Sequence, residues 1–116
     1  LHNAQVEIEF EEGYPPVINH PVATTVARSA AKATVGDENV VSAEYPSMGS
    51  EDFSFYLKEK PGAFVRLGAR KPHWEATPLH SPLFDIDEDV LPIGASYLER
   101  VARLAHEQIE RFGDGL

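Results

Sequence analysis

An α/β fold is predicted for this 116-residue chain, because a hydrophobic period of two gives way to a helical period more than once along it. Three stretches carry the prediction. Residues 4–10 alternate strictly, Ala63–Leu67 form a short apolar run, and helical spacing begins near Val90.

The first element is read as a strand. Ala4, Val6, Ile8 and Phe10 lie on one side, with Gln5, Glu7, Glu9 and Glu11 on the other, so one face is buried and one solvated. Gly13-Tyr14-Pro15-Pro16 ends it as a stiff extended connector. The strand is either an ordinary edge strand or the last strand of a different domain, with Gly13–Pro16 as the hinge.

A helix is expected next, with Asn19 or His20 as its cap, Pro21 in its first turn, and Gly36 at its end. Its apolar stripe is Val22, Val26, Ala30 and Ala33. In this setting His20 reads as a capping residue rather than a ligand. Val40-Val41 could begin a short strand. A second helix is expected over about residues 51–58. Ser50 is a natural N-cap there, and Glu51 and Asp52 suit the positive end of the helix dipole, so capping accounts for all three. Pro61-Gly62 breaks this helix, Ala63-Phe64-Val65-Arg66-Leu67 reads as a mostly buried strand, and Gly68 ends it.

Residues 69–86 have no period. A loop this long in a compact domain is functional or disordered, and Trp74 together with Pro78 and Pro82 argues against disorder. The last helix is expected from near Asp89, with Leu91, Ala95, Leu98, Ala102, Ala105, Ile109 and Phe112 as its stripe and Pro92 in the first turn. The helix dipole explains Asp87-Glu88-Asp89 without a calcium loop. Glu99–Arg103 and Glu107–Arg111 are i,i+4 pairs on the wet face.

Composition narrows the possible functions. A formal charge of −9 argues against nucleic-acid binding, which needs a basic face. With no cysteine, disulfides and thiolate metal sites are excluded. No run reaches the ~18 apolar residues of a membrane span, and no signal-peptide pattern opens the sequence, so a cytoplasmic protein is expected. The first residue is Leu1 and the sole methionine is Met48, which suggests a processed product or a piece of something longer.

The chemistry-bearing motifs are sparse. Neither a Gly-x-Ser-x-Gly elbow nor a Gly-rich phosphate loop occurs. His80 stands out, held in a short loop between Pro78 and Pro82 and followed by Ser81, Asp85, Asp87, Glu88 and Asp89. A braced imidazole suits a metal ligand, but composition alone favours a plain loop histidine. A catalytic zinc site needs about three protein ligands.

Four motifs occur in order: Gly-Tyr-Pro-Pro-Val-Ile-Asn-His-Pro (13–21), Met-Gly-Ser-Glu-Asp-Phe-Ser-Phe-Tyr (48–56), Pro-Gly-Ala-Phe-Val-Arg-Leu-Gly (61–68) and Pro-Leu-His-Ser-Pro-Leu-Phe-Asp-Ile-Asp-Glu (78–88). So arranged, nearly the whole chain resembles the C-terminal part of the metal-dependent amidohydrolases that include hippurate hydrolase, aminoacylases and plant auxin-conjugate hydrolases. The resemblance implies a partial three-layer zinc-exopeptidase-like catalytic domain over residues 13–116. Residues 1–12 would be the last strand of an α+β lid domain that mediates homodimers. It implies two divalent metal ions (zinc, manganese or cobalt) and a small N-acyl amino acid substrate. His80 would ligate one metal, and Ser50, Glu51 and Asp52 would line the substrate pocket. The remaining ligands and the glutamate that takes the water's proton lie upstream in that family, so this chain alone is expected to be inactive. Two rivals are a stand-alone, non-catalytic association module and a small metal-binding protein using His73 and His80.

Overall fold

The computed structural model describes residues 5–112, and for residues 110–112 the backbone only. Three α-helices and one 3-10 turn form: α1 (Pro21–Val35), the turn Asp37–Asn39, α2 (Phe53–Glu59) and α3 (Val90–Phe112). No strand forms among the described residues, which overturns the expected three-layer α/β domain and its preceding lid strand. Alternating sequence favours extended backbone, but a ladder also needs a neighbouring chain to accept its hydrogen bonds. Residues 5–10 and 63–67 have no such neighbour among the described residues. Most of their apolar side chains stay in water, Phe10 at 90 % exposure and Leu67 at 50 %, while Ala63 and Phe64 are half-buried. Ala4, at the start of the alternation, lies outside the described residues. The Val40-Val41 strand is absent too.

The helices follow from local signals. Pro21 opens α1, where its missing N–H costs nothing, and Gly36 closes it at φ +87°, with its N–H donated to the Lys32 carbonyl at 3.0 Å. An L side chain at that φ is strained, which is why glycine stands there. Lys32 in the last turn pairs with Asp37 at 2.6 Å. His20 occupies the N-cap position but makes no side-chain cap bond, and its Nδ1 is buried without a hydrogen-bond partner among the described residues. The Thr24, Thr25 and Thr34 hydroxyls donate back to the carbonyls of His20, Pro21 and Ala30, so the half-buried Thr24 and Thr34 leave no hydroxyl donor unmet.

The core is small and lies where α1 packs on α3. Val26, Ala27 and Ala30 are its buried apolar residues, and Ala30 has no exposed surface. Ala33, expected in the stripe, is exposed, and the inward positions run through Val26, Ala27 and Ala30 instead. On α3 the inner face is likewise displaced. Gly94, Tyr97, Val101, Leu104 and Gln108 are half-buried along with Ala105 of the expected stripe, while Leu91, Leu98 and Ile109 face water. Gly94 lets the helix approach residue 67, because a Cβ there would sit 3.2 Å from Leu67 Cδ2. Burial raises the Tyr97 hydroxyl above its ordinary pKa. The Glu99–Arg103 pair forms, and the hydrogen bond to Glu99 raises the guanidinium pKa further. The Arg111 end of the second expected pair lies outside the described side chains.

The Cα radius of gyration is 19.1 Å, against about 13 Å for a compact domain of this length. The chain is open, with extents of 65 × 44 × 23 Å.

Candidate functional site

Two short clamps and one long loop organise the motif-bearing segments. In the first clamp the Asn19 side chain acts as a peptide group. Its Oδ1 accepts the Phe64 N–H at 2.8 Å and its Nδ2 donates to the Phe64 carbonyl at 3.1 Å. One residue on, the His20 N–H donates to the Gly62 carbonyl at 2.9 Å. Asn19 therefore ties the first and third motifs together, a larger role than the helix cap expected of it.

The second clamp starts α2. Glu51, not Ser50, supplies the cap: its Oε1 accepts the Phe53 N–H at 3.2 Å, and its carbonyl accepts the buried Ser54 hydroxyl at 2.7 Å. Asp52 holds the N-cap position without a side-chain cap bond, and Ser50 and Asp52 are both exposed. The helix covers Phe53–Glu59 rather than 51–58, because Glu51 and Asp52 spend their geometry on the entry turn.

The loop carries His80 on two fused turns. The Ser81 N–H donates to the Pro78 carbonyl and the Phe84 N–H to the Ser81 carbonyl, each at 3.0 Å. Ser81 is thus the last residue of one turn and the first of the next. Its hydroxyl accepts the Leu83 N–H at 3.1 Å, and Pro82 sits where a turn best uses its fixed φ. His80 is exposed at the centre of the first turn. Leu79 and Leu83, on either side of it, line a cavity of about 540 Å³ together with Leu67, Trp74 and Phe84. His80 is not part of that wall.

His73 does not join it. It is exposed, stands edge-on to Trp74 with ring centroids 6.4 Å apart, and lines the cavity that His80 leaves. The Lys71 ammonium lies 5.5 Å from the Trp74 ring centroid. Among the described residues no three His, Asp or Glu side chains gather to hold a metal. An exposed imidazole on a rigid turn fits the role of one ligand, and Glu51 and Asp52 do not complete a set around it.

Sequence reasoning missed Asn19 as a clamp and Asp87 as a loop closure. Both are short polar residues beside a helix start, where capping is the first explanation to suggest itself. Asp87 donates its N–H to the Ala69 carbonyl at 2.8 Å, and its Oδ1 lies 3.4 Å from Lys71 Nζ.

Comparison with known proteins adds identity to this geometry. The chain is 39 % identical over 108 residues to "Putative amidohydrolase YhaA" of Bacillus subtilis, covering 92 % of this chain and 27 % of that protein. It is 41 % identical over 100 residues to "IAA-amino acid hydrolase ILR1-like 4" of Arabidopsis thaliana, covering 81 % of this chain and 22 % of that protein. A 36 % identical match to "Putative glutamate–cysteine ligase 2-3" of Rhodococcus jostii covers 89 % of this chain but 13 % of that protein. The chain therefore spans about a quarter of the length of the first and second of these relatives, and less of the third. No solved structure matches it. The model of Peptidase family M20/M25/M40 matches residues 4–104, and the chain belongs to that family.

Proposed function

We propose that this chain is the C-terminal part of a metal-dependent amidohydrolase that cleaves the amide bond of N-acyl amino acids or small peptides. Residues 13–116 would belong to its catalytic domain and residues 1–12 to a lid domain through which it dimerises. The observation that carries the reading is His80: an exposed imidazole carried on fused backbone turns, inside a region matched by a peptidase family. Names of relatives add support, since two of them are called amidohydrolase or amino acid hydrolase. The ligase name carries no weight here, because the match covers 13 % of that protein.

In this reading His80 offers one ring nitrogen to one of two divalent metals, which when bound polarise the amide carbonyl and acidify a water. The fused turns fix the backbone that carries the ring, so little backbone entropy at His80 would remain to be lost on binding. Glu51 would act through position. With its carboxylate turned onto the Phe53 N–H, it sets where Ser50 and Asp52 present their polar groups to a substrate.

The test is hydrolysis of N-acyl amino acids, hippurate first, by the enzyme carrying this chain, loaded with zinc, manganese or cobalt. His80→Ala is expected to abolish metal-dependent turnover. It should also weaken metal binding by more than the roughly 10- to 100-fold typical of losing an outer-shell partner. The 116-residue chain alone is expected to show no turnover with any of the three metals. Full activity in His80→Ala, or clear activity in the chain alone, would remove this reading.

A further inference from the structure

The loop that presents His80 is closed at its base by a single residue bonded in three directions. Asp87 donates its N–H back to the Ala69 carbonyl at 2.8 Å, where the loop begins. Its Oδ1 reaches Lys71 Nζ at 3.4 Å on the same strand of the loop and also accepts the Asp89 N–H at 3.2 Å. Its carbonyl accepts the Val90 N–H at 3.0 Å, the first residue of α3. Asp87 therefore joins the beginning of the loop, its end, and the helix that follows.

Inside the loop the other bonds are short in range. The Arg70 guanidinium donates to the Trp74 carbonyl, the Trp74 N–H donates to the Lys71 carbonyl, and the two turns hold residues 78–84. These fix local shape but not where the turns stand relative to the rest of the protein. If the base opens, the fused turns survive as a unit and swing. A metal ligand must be held within about 0.5 Å and 10–20° of its working geometry, so a loop loosened at its base would hold one poorly.

We infer that Asp87 is a positioning residue for His80: it clasps the base of the loop and so sets where the turn that carries the imidazole stands. This rests on the reading of His80 as a ligand. Asp87 touches no metal and no substrate, and its effect travels through the loop base. Coupling of this kind is reciprocal, so a metal held by His80 must also favour the closed clasp.

The experiment is Co²⁺ titration of the enzyme carrying this chain, read by visible d–d absorption. Asp87→Ala is expected to weaken Co²⁺ binding about tenfold and to change the shape of the spectrum, the low end of outer-shell effects. Asp87→Asn keeps an oxygen to accept the Asp89 N–H and loses the Lys71 pair alone, so it should recover most of the affinity. Asp89→Asn, at the exposed neighbouring acid, should leave affinity and spectrum unchanged. His80→Ala run in parallel separates the two ideas. If it loses the metal while Asp87→Ala binds like the parent, the clasp is wrong and the ligand stands. If His80→Ala binds like the parent, the ligand reading itself has failed. Should Asp87→Ala not fold, hydrogen exchange in the unsubstituted protein decides. Co²⁺ is expected to slow exchange of the Asp87 amide about tenfold, and unchanged exchange overturns the inference.

Discussion

Ala30 and His80 are both fixed in space, and the means could hardly differ more. Ala30 is sealed on α1, the helix that packs against the distant α3. His80 stands in water on backbone bonds that span three residues each, with Asp87 tying the loop's ends. One region is specified by volume and the other by hydrogen-bond direction. Packing makes the helix pair cooperative, so damage there spreads through the fold. A turn is nearly self-contained, so damage in it stays local and leaves the helices intact.

Three substitutions would break or sharpen that contrast. The largest effect is expected from Ala30→Leu, which forces a side chain into a face with no exposed surface at that position. Overpacking of this kind costs about 1–3 kcal/mol, and urea denaturation should show a lower midpoint for the whole protein. Asn19→Ala comes next. It strips two hydrogen bonds from the Phe64 backbone and should cost about 1–2 kcal/mol in the same assay, reduced by the exposure of the site. Ser81→Ala is the smallest, at about 0.5–1 kcal/mol for the lost bond to Leu83. Its signature should be faster exchange of the Leu83 amide with little change in the urea midpoint. A global shift from Ser81→Ala as large as that from Ala30→Leu would erase the distinction between the two regions.

What the sequence disclosed divides along the same line. The bounds of α1 were legible because Pro21 and Gly36 act through their own backbone chemistry, which needs no partner. The brace around His80 was legible for the same reason, since Pro82 sets its turn from within. The inner face of α3 was not. Leu91, Leu98 and Ile109 make the stronger apolar stripe, yet of the expected positions among the described residues Ala105 alone is half-buried, beside Gly94, Tyr97, Val101, Leu104 and Gln108. A glycine that permits close approach, a tyrosine and a glutamine score poorly on any hydrophobic period. Strands failed for a related reason: alternation at residues 5–10 states a preference for extension and says nothing about whether a neighbour is there to bond. Asp87 was hidden by a sufficient explanation, because an acid before a helix is accounted for by the dipole before any closure is considered.

The Asn19 clamp has a bearing on how this protein behaves in a crowd. Extended backbone with unmet N–H and C=O groups is a template for another chain to pair with, and such edges seed aggregation. At Phe64 both groups are already taken by the Asn19 amide, and at Gly62 the carbonyl is taken by His20. At Phe64 the stretch is therefore capped by a side chain that cannot itself propagate a ladder. A single amide, set just before a helix, thus removes from the run Phe64, Val65 and Leu67 the pairing groups of its Phe64.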